Sequence, residues 1–325
     1  MKLMNNNLQQ YAIGVDIGGT NTKYGIVNHR GDITHSGRMS TSKYETAEAF
    51  VDALYAVFSP IIDEVGKENI KGVGIGAPNA NYFTGSIEHS PNLNWKGIVP
   101  FASMISEQFG LPCSITNDAN AAAVGEMMYG AARGMKDFIV ITLGTGVGSG
   151  IVTGGQLIYG HDGFAGELGH TIIRPGGREH WSTGVKGTLE AYASATGITL
   201  TAREMIAESG RESLLQQYPS EAIDSKAVYE CAMKGDEVAK EVYRFTGQIL
   251  GEALANFVMF SSPEAIILFG GVTKAGNLIM DPVREHMEKN LLAVFKNKVA
   301  LNFSELKEAD AAILGASALA WEIRM

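Results

Sequence analysis

Cysteine is nearly absent from this chain: there are two in 325 residues, Cys113 and Cys231, with no Cys-x-x-Cys spacing. That argues against a disulfide framework and fits a reducing compartment. No apolar stretch is long enough to span a bilayer, and the opening MKLMNNNLQQ lacks the apolar core of a secretory leader, so the expectation is a soluble cytoplasmic protein with no membrane partner. Excess positive charge is missing too. With a net charge of −9, nucleic acid is not an expected partner, and an anionic ligand must be held locally by backbone amides, helix N-termini or a metal. No long run of like charge and no Pro-, Gly- or Ser-rich linker occur, which speaks against disorder and against domains joined by a tether. There is no G-x-x-x-x-G-K-[ST] loop, and no dinucleotide fingerprint, in which a helix would follow the glycines.

What is present is a core-forming composition, 45% hydrophobic, at a length that favours two domains. Strand and helix patterns alternate. YAIGVDIGGTNTKYGIV reads as two paired strands joined by a glycine turn, and FIVITLGTGVGSGIV repeats that arrangement. TAEAFVDALYAVFSPIIDEVG has helical spacing after a threonine, FASMISEQFG is a short helix closed by Gly110, and PCSITND is a strand running into the helix NAAAVGEMMYGAA. Later, EAIILFGGV follows a long helix, DEVAKEVYRFTGQILGEALANFVMF. The final DAAILGASALAWEIRM is an apolar-faced helix expected to dock back on the first domain. The expected division is a small domain of residues 1–120 with 311–325, and a large domain of residues 121–310.

Two glycine hairpins, Gly18-Gly19-Thr20-Asn21 and Gly144-Thr145-Gly146, can present backbone N–H groups to a polyphosphate. Alternatively, each is a plain hairpin turn whose glycines supply positive φ. Asp16, near the end of the first strand, either holds Mg²⁺ through water beside those phosphates or caps the turn. Lys23 on the second strand is a phosphate neighbour only if its side chain points that way.

Taken in order and spacing, DIGGTNTK, ITNDANAAAVGE, LGTGVGSGIV, GFAGELGH, GTLEAYAS and the late FGG resemble the ROK family of sugar kinases, from about Tyr11 to the C-terminus. The resemblance implies an α/β protein with the two-domain actin-like ATPase (ribonuclease H-like) fold, mixed sheets flanked by helices, and ATP and a hexose meeting in a central cleft. It makes the two glycine turns the phosphate loops and places Gly270 and Gly271 beside the adenine. It gives Asp118 as the general base and Asn117 as a sugar ligand; the alternative from the residues alone is that Asp118 or Asn120 caps the helix. It also puts Glu167, His170 and Glu190 in the hexose pocket, where the alternatives are an ion pair for the first two and a helix N-terminal charge for the third. A homodimer is implied as well.

Two departures stand out. GIGAPNANYFTG carries Asn79 and Asn81 where the family has glycine after the proline; Asn79 either meets the sugar or supplies a left-handed turn. Trp95 either shapes the sugar entrance or belongs to the core. Many relatives also hold a structural zinc with the loop histidine and three cysteines, whose positions here are Trp181, Thr183 and Thr188. No zinc site is therefore expected, with Trp181 packed on the loop as the substitute, or a loop that orders on binding sugar. A residual set of His161, His170, His180 and Glu179 matches no zinc spacing. The function expected is ATP- and Mg²⁺-dependent phosphorylation of a hexose, glucose first, with N-acetylhexosamines and fructose as alternatives. A sugar-responsive transcriptional regulator is the other class, disfavoured because a first strand at Tyr11 leaves no room for a helix-turn-helix.

Overall fold

The computed structural model describes residues 10–323. Their contacts divide into two compact units, the first drawn from the described residues up to 134, from 157–165 and from 305 onward, the second from 135–156 and 166–304. The boundary expected at residue 120 falls inside a helix, Asp118–Tyr129, which packs on the C-terminal helix and so stays with the first unit.

In the first unit the chain runs β1 (Tyr11–Ile17), β2 (Asn21–Asn28), β3 (Ile33–Ser40), α1 (Ala47–Val65), β4 (Ile70–Gly76), β5 (Ala80–Asn81), β6 (Ser86–Glu88), β7 (Ile98–Val99), α2 (Phe101–Phe109), β8 (Cys113–Thr116) and α3 (Asp118–Tyr129). The main sheet has the order β3-β2-β1-β4-β8. The first three strands are antiparallel, and β4 and β8 join in parallel. Strands β1 and β4 are apolar almost throughout because both faces are covered. On one face α1 and α2 contribute Phe50, Leu54, Phe58, Phe101 and Phe109 to a core with Ile13, Val15 and Ile75, each large side chain contributing about 1.5–3 kcal/mol by leaving water. The C-terminal helix, Glu308–Glu322, packs against β1 and β4, as expected. It approaches so closely that a Cβ on Gly14 would lie 2.3 Å from the Ile313 carbonyl oxygen, and one on Gly74 1.9 Å from that of Ala316. The capping signals hold: Thr46 Oγ1 accepts the Ala49 N–H at 3.3 Å, and Gly110 closes α2 in the left-handed conformation.

The second unit repeats the plan. Its elements are β9 (Phe138–Leu143), β10 (Val147–Thr153), β11 (Gln156–Leu157), α4 (Glu190–Ala193), α5 (Ala195–Ser209), α6 (Ser225–Met233), α7 (Glu237–Ser261), β12 (Ala265–Phe269), α8 (Asn277–Asn290) and β13 (Ala300–Phe303). The sheet order is β11-β10-β9-β12-β13, with β9 and β10 an antiparallel hairpin and β12 and β13 parallel additions. Among the described residues, no helix is long and apolar enough to cross a membrane.

Candidate active site

In the first unit the β1–β2 turn is closed by the Gly18 N–H donating to the Asn21 carbonyl at 3.0 Å. Neither Gly18 nor Gly19 has positive φ. Glycine is needed for close approach instead: a Cβ on Gly19 would stand 2.5 Å from the Asn92 carbonyl oxygen. Thr20 and Asn21 are exposed beyond the glycines. Asp16 pairs across the sheet with Lys23 on β2 and with Gly76 on β4. Burial, reinforced by the negative charge of Asp118, pushes its carboxyl up to about 6, while Lys23 pulls the other way.

Asp118 is the first residue of α3, where the chain leaves β8. The helix cap is neither Asp118 nor Asn120 but Asn117, whose Oδ1 accepts the Asn120 N–H at 2.7 Å. Asn120 is buried and spends its amide on Thr116 Oγ1 at 3.1 Å. Asn117 therefore keeps its own amide N–H groups for another partner, and Asp118 is released from capping. Its Oδ1 accepts the Ala119 N–H at 2.8 Å. Asp118 is exposed on its own surface, yet enough protein surrounds it at longer range to deplete water, and that desolvation raises its carboxyl above the ordinary range. Asn79 stands at φ 54 and donates to the Glu88 carbonyl at 3.1 Å, the geometry of the left-handed turn. Asn81 is buried and bonded to the Asp162 carbonyl. Trp95 is in the core, stacked on Phe101.

The β9–β10 turn of the second unit is held from outside the hairpin. The Ala195 N–H donates to the Gly144 carbonyl at 2.8 Å, Thr196 Oγ1 to that of Thr145 at 2.9 Å, and the Val147 N–H to Glu190 Oε2 at 2.6 Å. Gly146 is required because a Cβ there would meet that carboxylate at 2.4 Å, whereas a Cβ on Gly144 would meet nothing within 4 Å. Beside the turn lies a cavity of about 460 Å³, lined among others by Gly144, Thr145, Lys226, Tyr229, Gly271 and Lys274. Gly270 does not line it; its φ of 108 and its closeness to the Leu143 carbonyl give it a backbone role.

Glu167 precedes a short 3₁₀ turn, Leu168–His170, that His170 ends, and both are exposed. Ser149 on β10 fixes that turn, donating to the Gly166 carbonyl and accepting the Leu168 N–H at 3.2 Å. His170, His180 and Glu190 bring their donor atoms within 4.8 Å of one another. No spacing in the sequence pairs His180 with Glu190, and the set built on Glu179 does not form: Glu179 faces Lys186 at 3.9 Å. His180 is 2% exposed with Nε2 2.5 Å from Glu190 Oε1. Trp181 packs on the loop as expected, its ring stacked on that of His180, but remains 45% exposed. Thr183 Oγ1 accepts the Val185 N–H, and Thr188 is buried with its hydroxyl accepting the Ala191 N–H. Arg178 ties the loop to the helices that follow it: its guanidinium donates to the Ala191 and Gly197 carbonyls, Thr201 and Glu204, and lies over the Tyr192 ring. Nothing in the sequence pattern singled out Arg178; an arginine between two glycine turns reads as a surface charge.

The ROK family model matches residues 12–323. The glucokinase of Halalkalibacterium halodurans is 34% identical over 310 residues, covering 94% of this chain and 93% of that protein. The glucokinase of Thermotoga maritima is 33% identical, covering 94% and 96%. Among solved structures, a ROK family glucokinase from Streptomyces griseus in complex with glucose and AMPPNP superposes with a TM-score of 0.78 at 33% identity, covering 96% of this chain and 100% of that one.

Proposed function

The chain belongs to the ROK family, has the actin-like ATPase fold of its structural neighbours, and is, we propose, a glucokinase that transfers the γ-phosphoryl group of ATP to the 6-hydroxyl of glucose. The observation that carries the chemistry is Asp118: a carboxylate at the start of a helix, relieved of capping by Asn117, accessible, and raised in pKa by its surroundings. A primary alcohol is too weak an acid to ionise unaided, and a carboxylate of raised basicity is suited to accept its proton as the oxygen–phosphorus bond forms and the bond to ADP breaks. Asn117, Glu167, His170 and Glu190 take the sugar hydroxyls, with carboxylates accepting and amide or imidazole completing the set.

The turns at Gly18 and Gly144 offer amides to the phosphates, and the open space over Gly144, next to the cavity lined by Gly271 and Tyr229, supports placing the nucleotide there. Asp16 fits a dication: its carboxyl is held near 6 by burial and by Asp118, a strain that positive charge relieves. Bound with ATP at Asp16, Mg²⁺ supplies neutralisation of phosphate charge.

A panel of glucose, mannose, fructose, N-acetylglucosamine and N-acetylmannosamine, read by sugar-dependent ADP release, tests the assignment. The expected result is the highest kcat/KM for glucose. A clear preference for an N-acetylated sugar or for fructose refutes glucose and leaves a sugar kinase; no sugar-dependent release refutes the kinase.

A further inference from the structure

We propose that His180 is a positioning residue for the sugar site: its buried imidazole fixes the Glu190 carboxylate by hydrogen bonding, and no metal takes part. The inference rests on the reading of Glu190 as a sugar ligand. It starts from the two nitrogens of one ring. Nδ1 faces the backbone N–H groups of Ser182 at 3.3 Å and Thr183 at 3.2 Å, with the Ser182 hydroxyl also at 3.3 Å. A nitrogen that accepts two N–H groups carries no proton, so the ring proton sits on Nε2 and is donated to Glu190 Oε1 at 2.5 Å. The same bond occupies the one atom of His180 that points at the cluster. Nε2 cannot ligate an ion while it holds that proton, although His170, His180 and Glu190 are close enough to share one.

The other carboxylate oxygen of Glu190 accepts the Val147 N–H at 2.6 Å. Two donors from separate parts of the unit therefore hold the two oxygens, which fixes the carboxylate plane, and each oxygen keeps a lone pair for a hydroxyl. Glu190 is largely buried, its side chain 14% exposed, so its remaining acceptor capacity faces a narrow opening. Trp181, stacked at 4.2 Å, shields the imidazole from water. His180 thus reads the loop backbone with one nitrogen and sets the sugar-binding carboxylate with the other.

Two variants separate these roles. His180→Gln keeps a donor that reaches Glu190 but loses the acceptor for Ser182 and Thr183; His180→Asn keeps that acceptor and cannot reach Glu190. With steady-state kinetics on the active sugar, His180→Asn is expected to raise the sugar KM about 10- to 100-fold, as for a lost bond to a charged group. Its kcat and its KM for ATP should change little, and His180→Gln should retain most of the sugar affinity while melting earlier. The reverse order, or equal loss in both variants together with lowered melting, means His180 only braces the loop and overturns the proposal. A readout independent of turnover accompanies it: nitrogen NMR on histidine-labelled protein should show one ring as the Nε2–H tautomer, with its signal moved by Glu190→Ala. If the wild type phosphorylates no sugar but shows that signal, the kinase reading fails and the His180–Glu190 link stands. One tightly bound zinc per chain, with the Nε2–H signal missing until it is removed, makes the cluster a metal site and sinks the inference.

Discussion

Asp118 and Asp16 make opposite demands on a test at the level of single residues. Asp118→Asn keeps the oxygen that accepts the Ala119 N–H and removes the proton acceptor, so kcat should fall by about 10²- to 10⁴-fold with the sugar KM little changed; near-normal turnover would move the base elsewhere. Asp16 titrates in the folded protein near 6 rather than at 3.8. Below about pH 3 both states hold the proton and the residue is neutral to stability; as pH rises from about 3 to about 6 the unfolded chain releases it first, and stability is lost. Asp16→Asn should therefore match the wild type at about pH 3 and be more stable at about pH 7.5, by up to about 3 kcal/mol, measured as the shift in urea midpoint at the two pH values. An equal midpoint shift at both would show that the carboxyl is not perturbed. Gly144 supplies the converse case. An alanine there meets no protein atom, so melting should be unchanged while the KM for ATP rises if phosphate packs on the turn; unchanged KM would remove the turn from the phosphate site.

Elements were legible in the sequence wherever a periodic signal met a punctuating residue. The hairpins β1–β2 and β9–β10 showed as two apolar runs around a glycine turn, α1 showed by Thr46 and its apolar spacing, and α2 by Gly110. The alternative of a plain hairpin turn with positive φ does not hold at the first turn, where close approach demands Gly19. The loop from His170 to Glu190 was legible only in part. Expectation falls on the three positions where relatives place cysteine, and so on Trp181, whereas the contacts to Glu190 and to the Ala191 carbonyl come from His180, one residue earlier, and from Arg178. Neither has a pattern to announce it, because each acts on carbonyls, amides and carboxylates brought near by folding. The packing of the C-terminal helix on β4 gives an element-level prediction: Gly74→Ala forces a Cβ against the Ala316 carbonyl. It should cost about 1–3 kcal/mol or more, seen as a lowered melting temperature with kinetic constants unchanged in the fraction that folds; an unchanged melting temperature would mean the helix can move aside freely.

At the scale of the whole molecule, the three tryptophans divide unevenly between the units. Trp95 and Trp321 belong to the first, one in the core and one donating to the Tyr129 hydroxyl at 2.8 Å, while exposed Trp181 alone represents the second, stacked on His180. Unfolding followed by fluorescence should thus report mainly the first unit, and sugar binding should be visible through Trp181, with Trp181→Phe silencing the titration signal; a response that survives in that variant would place the sugar-sensitive region in the other unit. The helix Glu308–Glu322 covers β1 and β4, yet is encoded after the entire second unit. During synthesis, the sheet that emerges first must wait for roughly 230 further residues, a delay on the order of 10–50 s at about 5–20 residues per second. Throughout that interval the apolar face around Gly14 and Gly74 has no cover. That face stays exposed until the helix Glu308–Glu322 has been made, and slowing the ribosome should lower the soluble yield of this protein more than that of one whose sheets close in the order they are made.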